Sequence, residues 1–259
     1  FWRDLHAVTG IFVGAVIVFL AVTGMPWSGV WGAKVNEWAN GHNFGYPDGV
    51  RVNLPMSGQK LDDVSKTAWS LEQAQIPESQ GHGTPITLDA AVATFDRLGL
   101  HRGYAVALPT KPEGVFSGSV YPDDLSRQRV VHLDQYSGQP LLDMSYADYG
   151  PLGKALEWGI NTHMGQTYGV ANQIVLLLAC IGIVLLAVSA AVMWWKRRPS
   201  GSLGVPPLPQ DRRVFRGLLA LLAVGGVLFP LVGGTLLVML ALDMIWVRTA
   251  GRSRAARAA

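Results

Sequence analysis

Two long uncharged runs constrain this chain more than any other feature. Residues 7–27 (AVTGIFVGAVIVFLAVTGMPW) and 174–195 (IVLLLACIGIVLLAVSAAVMWW) contain no Asp, Glu, Lys or Arg. A helix needs about 20 apolar residues to cross a hydrocarbon core. Within that core every backbone N–H and C=O must be paired inside the protein, which favours helices. Both runs meet the length with little excess. They are too long for the apolar core of a secretory signal, which runs to about 7–15 residues. A third uncharged run covers residues 217–242, and apolar character continues to residue 247. A single helix over 217–247 would measure about 46 Å, too long for one upright span. Phe229-Pro230 and Gly233-Gly234 interrupt it, so it is either one kinked helix or two helices meeting at Pro230. The expectation is an α-helical membrane bundle of three to four membrane segments.

Charge sets the orientation. Only 15% of the 259 residues are charged, against about 25% in soluble domains. The basic residues cluster at Lys196-Arg197-Arg198, at Arg212, Arg213 and Arg216, and from Arg248 to Arg257. Such clusters flank spans on the cytoplasmic side, so they imply a membrane lipid surface and no nucleic acid. With Arg3 before the first span and Lys196–Arg198 after the second, both outer ends are expected in the cytoplasm. Residues 32–160 then lie in the periplasm of a bacterium, with Trp27 and Trp31 at the far interface. The single cysteine, Cys180, excludes an internal disulfide and leaves zinc or iron–sulfur sites without thiolate ligands; it reads as a packing residue. The chain opens on Phe1 with no Met, and Arg3 and His6 directly precede an apolar run. This reads as a chain with further sequence upstream.

These signals divide the chain into a first transmembrane helix (1–31), a polar periplasmic domain (32–150, best defined over 86–145), an interfacial segment with the second transmembrane helix (151–198), a cytoplasmic loop (199–216), the C-terminal apolar segment (217–248) and a basic tail (249–259). Within the polar domain, residues 88–99 (LDAAVATFDRLG) have helical spacing, with Leu88, Val92, Phe95 and Leu98 on one side. Strands are expected at Tyr104–Leu108, Val115–Tyr121, Arg129–Leu133 and Pro140–Met144, with a turn at Tyr136-Ser137-Gly138. Residues 35–85 show no clear periodicity. The inserted domain is therefore α+β, a helix on a small meander.

Six histidines are the main candidates for chemistry. His42, His82, His101 and His132 lie in the polar domain, where histidines are usually surface or hydrogen-bonded residues. His6 begins an uncharged span, where ionisable groups are expensive and often functional. Gly10 and Gly14 follow at i+4 and i+8 on the same face. They either leave a groove for a flat ring system or mark a helix–helix contact through small residues, with His6 as an interfacial cap. His163, in Asn161-Thr162-His163-Met164-Gly165, taken alone reads as an interfacial hydrogen-bonding residue. No nucleophile elbow, phosphate loop or His-Glu-x-x-His occurs, so no catalytic residue is assigned.

Residues 2–32 (WRDLHAVTGIFVGAVIVFLAVTGMPWSGVWG) resemble the second-half span of the PepSY-associated transmembrane proteins. Residues 130–173 resemble the end of that family's second PepSY module and the start of its next helix. MWWKRR at Met193–Arg198 resembles the end of that helix, and Phe229-Pro230-Leu231-Val232-Gly233 the C-terminal apolar stretch. Members normally carry an earlier half with two more spans and another PepSY module. That missing N-terminal half is the first partner that the resemblance implies. The family includes inner-membrane proteins tied to iron and siderophore uptake. Some resemble siderophore reductases holding haem b between membrane helices through paired histidines. The resemblance makes His6 and His163 haem-iron ligands, with Gly10 and Gly14 beside the ring. It implies electron transfer to ferric iron or a ferric siderophore, that is, a ferric-siderophore reductase. The competing reading is a non-redox anchor or transporter accessory whose PepSY-like domain binds another protein.

Expected depth separates the two histidines. His6 starts its span at one face and His163 precedes the next at the other, so a hydrocarbon core of about 30 Å lies between them. Two ligands of one metal lie only about 4 Å apart. Two separate haems are therefore expected in the full-length parent, each taking a second ligand from elsewhere. With two histidines per iron no position remains for oxygen, which suits electron transfer.

Overall fold

The N-terminal run forms a single helix, α1 (Trp2–Thr23), in the computed structural model. The structure describes residues 1–40, 50, 53–201 and 210–258. His42, residues 202–209 of the 199–216 loop and the last residue of the tail therefore lie outside the described residues. The chain divides into two units, Phe1–Trp194 and Trp195–Ala259.

In the first unit, α1 ends at Gly24, and a 3-10 turn over Met25–Trp27 follows with Pro26 in its first positions. Pro suits that place because the first N–H groups of a helix have no intrahelical partner. A second helix, α2 (Trp31–Asn40), comes next. Residues without legible periodicity then form a two-stranded antiparallel ribbon, β1 (Met56–Lys60) with β2 (Gln75–Pro77). Runs of three to five residues are too short to print an alternation.

The best-defined part follows expectation closely. Helix α3 (Leu88–Arg97) is capped by Thr87, whose hydroxyl accepts from Ala90 N. Four strands form an antiparallel meander in sequence order: β3 (Ala105–Ala107), β4 (Val115–Val120), β5 (Arg129–Asp134) and β6 (Pro140–Ser145). One correction concerns the buried face of α3. Ala91, Thr94 and Phe95 are buried and Leu98 packs beside them, whereas Leu88 is exposed and Val92 only half-buried. The set 91, 94, 95, 98 has i, i+3, i+4, i+7 spacing, as helical as the i, i+4, i+7, i+10 of the expected set. Small residues on it let the helix approach until the Phe95 ring lies over Gly118, where an added Cβ would meet ring atoms at 2.7–2.9 Å.

The sheet is covered on both sides, and every residue of β4 is buried. Phe95, Phe116, Val131 and Leu133 fill one side, while Val130, Leu142 and Met144 pack with Leu61 and Leu71 on the other. The turn after β5 is held by Asp134. Its Oδ1 accepts from Tyr136 N (2.9 Å) and Ser137 N (2.8 Å), and its Oδ2 from Gln80 N (2.7 Å) and Gly81 N (3.1 Å). Gly138 takes the left-handed φ of 68° that closes the turn, a conformation without penalty for glycine.

Two helices complete the unit. Helix α4 (Pro151–His163) has Pro151 in its first turn, and α5 (Gly169–Arg197) carries the second uncharged run. Gly165, at φ 78°, ends α4 with backbone bonds to Thr162 O and, through Gln166, to Asn161 O, a glycine-dependent helix stop. Among the described residues, two helices are long and apolar enough to cross a membrane, α1 and α5.

The second unit holds α6 (Arg212–Leu228) and α7 (Pro230–Ala258). The two-helix alternative for the third apolar run is the one observed. Phe229 leaves the helical region at φ −121° and ψ 82°, as the residue before a proline tends to. A Cβ on Gly233 would lie 3.0 Å from Gly226 Cα, whereas seven residues of unbroken helix span about 10 Å. The chain therefore doubles back at Phe229–Pro230. The apolar part of α7, Pro230–Trp246, is a shorter helix than α1 or α5.

Candidate functional site

Helices α1 and α5 run antiparallel and meet along one narrow stripe. Asn172, Ala179, Gly182 and Ser189 are the buried residues of α5, a seven-three-seven spacing that keeps a single seam facing a partner. Val13 packs against Gly182, and Gly10 faces Leu186, with an added Cβ 3.7 Å from its Cδ2. Gly10 thus lies in the helix contact. Gly14 has nothing within 4 Å of an added Cβ, so the face beside it is open. The other faces of both helices are exposed and apolar, including Ile11, Phe12, Val18, Leu177, Leu178 and Val184.

His6 lies at one end of this seam. Its Nδ1 is 2.9 Å from Ser189 Oγ, and that hydroxyl donates to Leu186 O at 3.0 Å. Ser189 is almost completely buried. In the sequence it is the one hydroxyl in residues 174–195.

His163 lies at the other end of α1, on the last turn of α4. Its Nδ1 is 2.8 Å from Thr23 Oγ1, whose hydroxyl donates to Phe19 O at 2.7 Å. The ring is also packed 5.8 Å from the Trp27 ring, centroid to centroid. Gly24 leaves room for it: an added Cβ would be 3.4 Å from His163 Cε1. Gly159 and Trp158 of α4 touch Thr23 and Phe19 of α1. From His6 to Thr23 is 17 residues of one helix, about 25 Å. The two histidines share α1 but not a site. Among the described residues, neither Nε2 receives a hydrogen bond.

Helix α4 also holds the sheet domain. Glu157, buried, accepts from Ser70 N at 2.8 Å, and Asn161 Nδ2 donates to Asp123 O at 2.6 Å. Burial pushes the Glu157 carboxyl up, opposed by the bonds from Ser70. Nearby, Asn36 donates to Trp69 O and to Glu72 Oε2 at 3.1 and 3.0 Å. Burial also raises Glu72, assisted by the charges of Asp62 and Glu157. An open cleft of ≈ 540 Å³ lies here, lined by Trp27, Asn36, Lys60, Trp69 and Glu72 among others. Lys60 Nζ donates to Gln73 across its wall. Trp27 thus touches His163 on one side and this cleft on the other.

The remaining histidines stand apart. His82 and His101 are exposed, and His101 contacts Arg102 O and Arg127. His132 is fully buried in β5, with Nδ1 2.7 Å from Ser117 Oγ. Burial alone pushes it down to about 3, so it serves as a neutral core residue.

Sequence reasoning missed Thr23, Ser189 and Trp27 as site residues. Their signal was present, since polar groups inside a span are costly unless satisfied; their partners were not, lying 140 and 183 residues away.

Two apolar helices pinned to a sheet domain, with a histidine near each end of α1, define a membrane-associated protein with an inserted sheet domain. The chain belongs to the family of PepSY-associated TM regions, whose model matches residues 1–197. Among curated proteins none matches the chain.

Proposed function

We propose that this is a multi-pass protein of a bacterial inner membrane that passes electrons to ferric iron or a ferric siderophore in the periplasm. The observation that carries the reading is the matched pair of histidines at opposite ends of α1, each bonded through Nδ1 to a hydroxyl on a neighbouring helix. That donor set fits haem b. An iron ligand must be a neutral imidazole with an unprotonated nitrogen, and ligating histidines usually have their other ring nitrogen hydrogen-bonded. His6 and His163 would hold one haem each through Nε2, with Gly14 leaving an open face two turns from His6. Haem bound there supplies one-electron chemistry.

The rest falls to the chain's own residues. The seam of α1 and α5 sets the position of His6. Helix α4 sets that of His163, and Trp27 bridges His163 to the cleft, where a ferric acceptor would dock from the periplasm. The exposed apolar faces of α1 and α5 are the surfaces for lipid and for the helices that bring each second ligand. We assign those helices to an upstream half of the same protein. The third and fourth membrane segments would be α6 and the apolar part of α7. Arg3 and Lys196–Arg198 favour cytoplasmic outer ends by the positive-inside rule, with residues 32–160 outside.

The test is haem content per protein in the full-length parent, for wild type, His6→Ala, His163→Ala and the double variant. Each single variant is expected to lose one haem and keep the other. Loss of all haem in either single variant would mean one shared site or misfolding. Full haem in the double variant would remove both histidines as ligands and favour a non-redox anchor.

A further inference from the structure

We propose that Ser189 and Thr23 are positioning residues, each fixing its histidine as the Nδ1–H tautomer and thereby aiming Nε2 at the iron. The argument is a proton count. A serine or threonine hydroxyl has one proton and two acceptor lone pairs. Ser189 gives its proton to Leu186 O, three residues back on α5. Thr23 gives its proton to Phe19 O, four residues back on α1. Such back-bonds are the usual outlet for a hydroxyl inside a helix. Each hydroxyl oxygen can then only accept, and the imidazole nitrogens at 2.9 and 2.8 Å must donate. Both rings therefore carry a proton on Nδ1, and in the neutral imidazole the lone pair falls to Nε2.

The arrangement is made twice, by different helices, with the donor and acceptor roles reversed between the chain segments. At one end α1 supplies the histidine and α5 the hydroxyl. At the other, α1 supplies the hydroxyl and α4 the histidine. Each bond also crosses between helices, so it fixes the direction of the ring together with its tautomer. A ring held only by its own side-chain torsions would sample other orientations and the opposite tautomer, in which Nε2–H cannot bind a metal.

The tautomer assignment stands on the hydrogen bonds alone; its purpose rests on the haem reading above. Two measurements separate them. The first is the ¹⁵N spectrum of histidine-labelled 259-residue chain in detergent without haem, assigned with His6→Ala and His163→Ala. Nδ1–H is expected at both positions, lost at His6 in Ser189→Ala and at His163 in Thr23→Val. The second is haem affinity and midpoint potential in the full-length parent. Ser189→Ala and Thr23→Val are each expected to weaken one haem by about 10–100-fold, the usual loss on removing an outer partner of a metal ligand, and to shift its potential. Ser189→Thr and Thr23→Ser keep the hydroxyl and are expected to restore both. Nε2–H in the wild-type chain would overturn the inference even if His6→Ala and His163→Ala lose haem. Nδ1–H with unchanged haem affinity and potential in Ser189→Ala and Thr23→Val would overturn the positioning role. Nδ1–H with full haem in the two histidine variants would overturn the haem reading, and the positioning role with it.

Discussion

Val13 and Gly182 touch so closely that a Cβ on Gly182 would lie 2.4 Å from Val13 Cγ2. Valine is stiff at its first side-chain torsion and cannot swing aside cheaply. Gly182 therefore sets the spacing of α1 and α5, and with it the reach from His6 to Ser189, seven residues along each helix. Gly182→Val is expected to push the helices apart at a cost of about 1–3 kcal/mol. The His6 Nδ1–H signal should be lost while His163, held by α4, keeps its own. An unchanged His6 signal would show that the seam does not depend on this contact.

A second close approach holds the sheet domain together. With Phe95 lying over Gly118, Gly118→Ala should cost about 1–3 kcal/mol by overpacking, and Phe95→Ala about 3–5 kcal/mol by leaving a cavity. Amide hydrogen exchange of β4 and β5 is the readout. If Gly118→Ala left their protection unchanged, the helix would have to sit farther from the sheet than described.

Acid should loosen the domain in two stages. His132 is held neutral, at about 3 in the fold against about 6.5 in an unfolded chain. Between those values the unfolded chain binds the extra proton, so stability falls as pH drops from about 6.5 towards 3. For Asp134, partial burial acts to raise the carboxyl, but the backbone N–H groups of Ser137, Gln80, Tyr136 and Gly81 outweigh it and bring it down to about 2. Its contribution is complete above about 4 and is lost as pH falls through 2. His132→Gln should flatten the upper stage and Asp134→Asn the lower, read as denaturation midpoints of β5 against pH. A wild-type midpoint that is flat from about pH 6.5 to 4 would contradict the burial of His132.

Under the proposed function, Trp27 is the contact between His163 and the cleft. Trp27→Ala should slow reoxidation of the reduced full-length protein by a ferric chelate, leaving haem content unchanged. Stopped-flow absorbance would follow it, with Glu72→Gln as a second probe of the cleft wall. Equal rates in Trp27→Ala and wild type would place the acceptor elsewhere.

Orientation is open to a labelling scan in a Cys180→Ala background. A cysteine at Ser57 should react with an impermeant reagent in intact cells, and one at Ser200 only after permeabilisation. The reverse pattern would invert the membrane placement.

The parts legible in the sequence are those with long or repeated patterns. The uncharged runs marked α1 and α5, and short apolar runs between turn residues, such as those before the Tyr136-Ser137-Gly138 turn and after it, marked β3 to β6. Pro230 marked the break before α7, though only the Gly226–Gly233 contact showed the chain doubling back. What stayed hidden depends on distant partners. The β1–β2 ribbon is made by pairing across 3-10 turns, and α3 chose between two equally periodic faces because Gly118 is on the sheet beneath it. The candidate site was half legible: the histidines stand out as ionisable groups beside spans, but their hydroxyl partners are assigned only by how helices pack.

Helix α4 is one continuous helix gripped along its C-terminal half. Glu157 and Asn161 bind it to the sheet domain, and His163, about 9 Å beyond Glu157 and about 3 Å beyond Asn161 along its axis, binds it to Thr23. No loop intervenes to absorb slack between these points. Any load that rocks the sheet domain relative to α1 must therefore either be resisted by α4 or be delivered as torque on the His163 ring. The sheet domain thus acts on that imidazole as a handle acts on a shaft.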